Sequence, residues 1–135
     1  MTMADVPSKL QTREYSHSLQ FAIEERSPDF ARGRMPIADG MLNPFGTVHA
    51  GALLWFADVV ATVLAIGDTT VGPDGKGFPL AVTLNAQLLG NRRAGDLIAE
   101  ARPVRRGKRL IVVRTQVKDE DGALLLDVTT THMPA

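Results

Sequence analysis

Two different spacings of apolar residues divide this chain. Along residues 19–23 apolar and polar side chains alternate with a period of two, which predicts a strand that ends at the turn-forming run 27–29. A second extended segment covers residues 30–37 and contains Gly33 and Pro36. Because both residues weaken an interior strand, we expect this segment at a sheet edge or with a bulge.

Residues 49–66 have a different pattern, because nearly all of them favour or tolerate a helix and apolar side chains occur around its whole circumference. Thr47 or His49 is placed to cap the start of this helix, and Gly67 is placed to end it. Its length raises the question of a membrane span, but Asp58 lies in its middle. We therefore predict a helix buried on all sides within a folded domain.

Four further strands are predicted after the helix. In residues 78–89 an apolar side chain occupies every second position, as in a strand. Residues 96–105, 109–118 and 123–132 are three more strands, joined to one another by the hairpin-like connections 106–108 and 119–122. Such short connections cannot hold a crossover helix, so these neighbouring strands should pair antiparallel. The sequence thus predicts an α+β fold in which one long buried helix packs against a curved antiparallel sheet of about six strands.

The composition narrows the class of protein. The chain has 135 residues, 44% of them apolar, and we expect one domain over residues 15–135 after a loosely docked lead-in, residues 1–14. Because there is no cysteine, disulfides, a thiolate nucleophile and cysteine-bound metals are excluded. Fifteen basic residues balance fifteen acidic ones, which argues against a nucleic-acid partner. The charged first residues do not resemble a secretion signal, so we expect a cytoplasmic protein.

Asp58 is the first candidate for chemistry, because an ionised carboxylate in an apolar helix is costly to bury without a partner. Its neighbours three, four and seven positions away on the helix are small or apolar: Gly51, Leu54, Trp55, Ala61, Thr62 and Ala65. They include no cation, and this face has room for another group to approach. An ion pair with the sheet, or an exposed position for Asp58, is the structural alternative.

The run 43–51 leads into the helix and is the second candidate. The first N–H groups of a helix lack partners and can bind an anion or a developing oxyanion. Gly46 and Gly51 permit close approach of another group. The alternative is an ordinary loop in which Thr47 caps the helix and His49 is a satisfied polar residue.

The distance between the two candidates suggests more than one subunit. Ala50 and Asp58 are eight residues apart, which is about 12 Å along a helix axis, so one substrate carbonyl cannot touch both in one chain. Two copies around a two-fold axis would bring the helix start of one to Asp58 of the partner subunit. We therefore expect two identical composite sites.

Two motifs resemble a known family. The motif Asn43-x-x-Gly46-x-x-His49-Ala50-Gly51, followed by Phe56-Ala57-Asp58, is similar to the signature N-x-x-G-x-x-H-G-G…L-A-D of hotdog-fold acyl-CoA thioesterases of the phenylacetate-degradation (PaaI) type. The segments 83–85 (TLN) and 94–96 (AGD) also resemble the strand and turn that follow the helix in that family. The chain departs from the pattern at Ala50, where the family usually has Gly, and at Ala81, where some relatives have Ser or Thr. It also lacks the usual Pro within residues 88–91.

The resemblance implies a hotdog fold that hydrolyses an acyl-CoA thioester to a free acid and coenzyme A, with no metal and no further cofactor. The Ala50 N–H would hold the thioester carbonyl, and Asp58 of the partner subunit would act as nucleophile or as base for water. Asn43 would orient the water or the carbonyl, and His49 would shape the loop or also form a hydrogen bond near the thioester. The residues that would line the substrate site are Gly51, Thr62, Thr83 and Asn85.

Coenzyme A carries phosphates, so cations are expected at the mouth of the site. The candidates are Arg92, Arg93, Arg105, Arg106 and Lys108, although charge runs at hairpins are often only solvated. We expect a homodimer or a dimer of dimers, with neither nucleic acid nor membrane as partner. Two alternatives stay open: a hydratase or dehydratase of the same fold, and a non-catalytic acyl-CoA-binding module, which would not need Asp58.

Overall fold

Six strands and one long helix follow one another along residues 19–135 in the order that the sequence predicts. These residues are the part of the chain that the computed structural model describes, and the predicted lead-in, residues 1–14, lies outside them. The elements are β1 (Ala22–Ser27), β2 (Phe30–Pro36), α1 (Ala50–Ile66), β3 (Pro79–Leu88), β4 (Asp96–Arg106), β5 (Ile111–Lys118) and β6 (Leu124–Pro134). The loop between β2 and α1 contains a short 3-10 helix, Asp39–Met41.

All six strands form one sheet in the order β1-β2-β4-β5-β6-β3, and every neighbouring pair is antiparallel. The predicted pairing of β4 with β5 and of β5 with β6 is confirmed. Helix α1 lies on one face of the sheet, where its fully buried Phe56 and Leu64 belong to the same core as Leu97 and Leu126 of the strands. The predicted arrangement of one helix on an antiparallel sheet is therefore confirmed.

Strand β2 is an interior strand, so the prediction of an edge position was wrong. It pairs with β1 on one side and β4 on the other, and Pro36 is its last residue. The bulge that was the other expectation lies in its partner strand, because the register of the β1–β2 pair shifts between Ile23 and Glu25 of β1. Gly33 serves a different purpose, because a Cβ there would lie 2.7 Å from Val60 Cγ2 and 3.2 Å from Phe56 Cε1. The glycine lets the helix pack closely against the sheet, which is a tertiary requirement.

Strand β3 lies at the edge of the sheet and is largely open on both faces. A register shift between Ala81 and Thr83 breaks the strict alternation seen in the sequence. Leu80, Val82 and Leu84 are 49%, 52% and 44% exposed. An edge strand that combines unpaired backbone groups with exposed apolar side chains is typical of a surface that pairs with another chain.

Among the described residues the sheet covers one side of α1, whereas the apolar pattern predicted burial on every side. Trp55 is 36% exposed, and Gly51 is also exposed. Trp55 packs edge-on against Phe21, with ring centroids 5.5 Å apart. The outer side of α1 is thus a second partly apolar surface beside β3.

No helix within residues 19–135 is long and apolar enough to cross a membrane.

Arg106 caps the C-terminal end of α1, and replacing it should destabilise the fold. Its guanidinium donates hydrogen bonds to the carbonyls of Leu64 (3.1 Å), Ala65 (3.4 Å) and Pro28 (3.0 Å). Because the last carbonyls of a helix lack partners and favour a cation, Arg106→Met should lower the free energy of unfolding by about 1–2 kcal/mol. Urea denaturation measures this change, with Arg105→Met as the control that leaves stability within about 0.5 kcal/mol. Equal losses in the two variants would contradict the capping role.

Candidate active site

The loop before α1 is held together by the side chain of Asn43. Its Oδ1 accepts hydrogen bonds from the N–H groups of Phe45 (2.9 Å) and Thr47 (3.3 Å), and its Nδ2 donates to Thr47 Oγ1 (2.8 Å). Thr47 therefore stabilises the loop through its hydrogen bonds to Asn43 and does not cap the helix. Among the described residues one N–H of the Asn43 amide has no acceptor and is available to a ligand.

His49 is the N-cap residue of α1, but its side chain does not cap the helix. Its carbonyl accepts hydrogen bonds from the N–H groups of Ala52 (3.0 Å) and Leu53 (3.3 Å). Within residues 19–135 the N–H groups of Ala50 and Gly51 donate to no acceptor, and a Cβ on Gly51 would meet no atom within 4 Å. The helix start thus presents two free donors to an open surface, as an oxyanion site requires.

Asp58 lies half-buried in the middle of α1, one turn before the half-buried Thr62. Its Oδ1 is buried and has no hydrogen-bond partner among the described residues, and none of their Arg or Lys side chains pairs with it. The alternative of an ion pair with the sheet is therefore wrong for the described part of the chain. A buried carboxylate oxygen without a partner is costly, and such groups mark places where function requires them.

Thr83 and Asn85 do not share a surface with Asp58 in one chain. Leu84, which lies between them on β3, pairs with Thr130, a buried residue on the helix-facing side of β6. Because successive side chains of a strand point to opposite faces, Thr83 and Asn85 face away from α1. Of the predicted substrate residues, Gly51 and Thr62 lie on α1 itself.

The predicted phosphate-binding cations fall into two groups at opposite ends of α1. Beside the helix start, Arg92 Nε lies 2.8 Å from Asp119 Oδ2, and Arg93 donates to the carbonyl of Phe45 at 2.7 Å. The other group lies near the helix end and consists of Arg105, Arg106 and Lys108. Of these, Lys108 lines a cavity of about 230 Å³ together with Arg109 and His132.

His132 is a buried titratable residue that the sequence analysis missed. It is wholly buried on β6, with Nε2 2.8 Å from Thr130 Oγ1 and Nδ1 3.3 Å from the carbonyl oxygen of Pro79. Because a carbonyl only accepts, the proton lies on Nδ1. Burial lowers the pKa of His132, while the Pro79 carbonyl and the negative charge of Asp58 oppose that shift. The alternation of side chains along β6 places residue 132 on the same face as the buried Val128. This pattern could have identified His132 as a buried residue from the sequence.

The lowered pKa of His132 predicts that stability falls in mild acid. The unfolded chain takes up a proton at residue 132 as the pH falls below about 6.5, whereas the buried ring resists it until a lower pH. Above about pH 6.5 the ring of His132 is neutral in both the folded and the unfolded chain, so its protonation no longer affects stability. We expect the free energy of unfolding, measured by urea denaturation, to fall more steeply between pH 7 and pH 5 for the wild type than for His132→Gln, by no more than about 1.4 kcal/mol per pH unit. Parallel profiles would show that His132 contributes nothing.

The free donors and the unpartnered carboxylate are complementary parts for acyl transfer. Two N–H groups can stabilise an oxyanion, and a carboxylate can activate water or attack a carbonyl. Within residues 19–135 no three His, Asp or Glu side chains lie close enough together to hold a metal ion. In one chain about 12 Å of helix still separates Ala50 from Asp58, so the two parts do not meet there.

Known proteins are similar to this chain in sequence and in fold. A family model described as the thioesterase superfamily matches residues 45–126, which is more than half of the chain. A Haemophilus influenzae protein, whose name calls it a candidate esterase, is 27% identical over an alignment of 101 residues that covers 71% of this chain and 67% of that protein.

Two solved structures illustrate the likeness of fold. A Haemophilus influenzae thioesterase superposes with a TM-score of 0.75 at 20% identity, over 84% of this chain and 76% of that chain. A hypothetical thioesterase from Streptococcus pneumoniae, solved with coenzyme A, gives a TM-score of 0.75 at 15% identity over 86% of each chain. At these identities they show the fold, the hotdog arrangement of one helix on a six-stranded sheet. Taken with the match over residues 45–126, this means that the chain belongs to the thioesterase superfamily.

Proposed function

We propose that this protein is an acyl-CoA thioesterase, which hydrolyses a thioester to a free acid and coenzyme A. The observation that carries the proposal is the buried, unpartnered Oδ1 of Asp58 within an apolar helix. The free N–H groups of Ala50 and Gly51 supply the complementary donors. Two features favour a coenzyme A ester as substrate, namely the PaaI-type motif and the coenzyme A in the Streptococcus pneumoniae structure.

The proposed active site is composite and is made by two chains. Pairing of β3 with a second copy would continue the sheet and cover the exposed Leu80, Val82 and Leu84. The partly apolar outer side of α1 would gain a cover in the same dimer. The helix start of one subunit would then face Asp58 of the partner subunit. This arrangement would bring together the two parts of the site, which are about 12 Å apart along one helix.

In this site the N–H groups of Ala50 and Gly51 bind the thioester carbonyl oxygen and stabilise the oxyanion that forms on it. In one route, Asp58 of the partner subunit takes a proton from water, the hydroxide adds to the carbonyl carbon, and the C–S bond breaks. The departing thiolate then recovers the proton. In the other route the carboxylate attacks the carbonyl carbon, the C–S bond breaks to release the thiolate, and an anhydride forms. Water then hydrolyses the anhydride to the free acid and the original carboxylate, and the thiolate takes up a proton from that water. The spare N–H of Asn43 orients the water or the carbonyl, and His49 shapes the loop.

The phosphates of coenzyme A would bind to cations of one of the two groups, which lie at opposite ends of α1. Arg105 and Lys108 have no hydrogen bond or ion pair among the described residues, so their charges are available to a ligand. Arg92 and Arg93 lie beside the helix start but already bind Asp119 and a carbonyl. Arg106 is occupied by the end of α1 and is the weakest candidate. Thr62 and Gly51 lie beside the acyl group of the substrate in the proposed site. Thr83 and Asn85 would contact a substrate only in a site shared with another subunit.

Free-thiol release from a panel of aryl- and alkyl-acyl-CoA thioesters tests the proposed function. We expect hydrolysis of at least one thioester by the wild type. If every thioester binds and none is hydrolysed, the protein is a binding module. An enoyl-CoA in the same panel identifies the third alternative, because a hydratase would add water to its double bond without releasing thiol.

A further inference from the structure

Asn91 lies between β3 and β4 and reaches across to the loop before α1. Its Oδ1 accepts a hydrogen bond from the N–H of Val48 at 2.9 Å, and its Nδ2 donates to the carbonyl of the same residue at 2.8 Å. The Oδ1 also accepts from the N–H of Arg92 at 2.7 Å, which fixes the orientation of the amide. One side chain thus occupies both backbone polar groups of a fully buried residue 43 positions away.

The backbone around Val48 is held from two sides. Val48 forms an isolated antiparallel bridge with Leu42, and the N–H of His49 donates to the carbonyl of Met41 at 2.8 Å. The groups of Val48 itself point the other way, to Asn91, as the two sides of an extended strand do. Asn91 therefore acts in place of a neighbouring strand for this one residue.

The position of Val48 matters because the free donors of α1 begin only two residues later. The peptide plane between Val48 and His49 is fixed by Asn91 on one side and by Met41 on the other. Only the two torsions of His49, φ −59° and ψ 137°, separate that plane from the plane that carries the N–H of Ala50. The direction of the first free donor of α1 is thus set within one residue of the bond to Asn91.

We propose that Asn91 is a positioning residue for the active site, because its amide fixes Val48 and thereby aims the N–H groups of Ala50 and Gly51 at the substrate carbonyl. This inference rests on the proposed function. Oxyanion donors must be held within a few tenths of an ångström, and misplacement by about 1 Å costs on the order of a hundredfold in rate. Asn91 should therefore affect the chemical step more than substrate binding.

Two substitutions of Asn91 separate its hydrogen bonds. Asn91→Asp keeps the acceptor for the Val48 N–H and loses the donor to the carbonyl, whereas Asn91→Leu, which is similar in size, loses both. We expect each to lower kcat by about tenfold or more, with KM within about threefold of the wild type. Asp119→Asn is the control, because it weakens the pairing of Arg92 without touching Val48, and it should keep kcat within about threefold.

A second readout does not depend on activity. In ¹H–¹⁵N NMR spectra of the substrate-free protein, the amide signals of Ala50 and Gly51 should move in both Asn91 variants and stay in place in Asp119→Asn. Unchanged signals with wild-type kcat would overturn the role of Asn91, and so would an equal loss of kcat in the control. An active wild type with normal Asn91 variants would refute this inference alone, whereas an inactive wild type would refute the proposed function and leave the NMR result to decide on Asn91.

Discussion

Asp58→Asn is expected to lower kcat for thioester hydrolysis by about a hundredfold or more while the protein stays folded. The amide has nearly the shape of the carboxylate but cannot take a proton from water or attack a carbonyl carbon. Because Oδ1 of Asp58 has no hydrogen-bond partner within residues 19–135, the substitution breaks no hydrogen bond or ion pair in the part of the chain that the structure describes. Stability should therefore not fall, so lost activity would reflect lost chemistry.

Free-thiol release measures this effect, and thermal unfolding verifies the fold. Asp68→Asn is the matched control, since Asp68 is an exposed carboxylate just beyond the end of α1 and its loss changes the net charge equally. We expect this control to keep kcat within about threefold. If Asp58→Asn retained more than about a tenth of the wild-type kcat, neither the base route nor the nucleophile route would stand.

Ala50→Pro is expected to lower kcat by about a hundredfold through the other half of the site. Proline removes the N–H of Ala50, and it suits the first position of a helix, where no intrahelical bond is lost. His49 already has the extended conformation that a residue before proline adopts, with φ −59° and ψ 137°. The substitution should therefore delete one donor and leave α1 intact.

Circular dichroism and the same thiol-release measurement test this prediction. Ala50→Gly is the comparison, because it keeps the N–H, and it should be far more active than Ala50→Pro. A folded Ala50→Pro variant with wild-type kcat would show that this N–H does not bind the carbonyl.

Periodicity predicted the helix and the strands because each depends on local spacing alone. The sheet order did not follow, since Gly33 reads as a feature of an edge strand until Val60 and Phe56 are seen packed against it. The edge position of β3 was hidden for the same reason, because alternation states which residues share a face and not what covers that face. Pairing partners and packed neighbours belong to tertiary structure, and a single sequence does not contain them explicitly.

The candidate site divides in a similar way. Asp58 could be found from the sequence because a carboxylate stands out in an apolar helix. The contacts of Asn91 and His132 could not, since they are made with Val48 and Pro79, which are 43 and 53 residues away in the chain. A polar residue in a loop or within a strand gives no local signal of such bonds.

Mixing Asp58→Asn with Ala50→Pro tests whether two chains share each site. If each site takes its donors from one subunit and its carboxylate from the partner, a mixed dimer contains one site with both parts intact. Random exchange makes about half of the dimers mixed, so two inactive variants should together recover about a quarter of the wild-type kcat. Mixed dimers that form, as verified with tags of different size, and stay as inactive as either parent would show that both parts act within one chain.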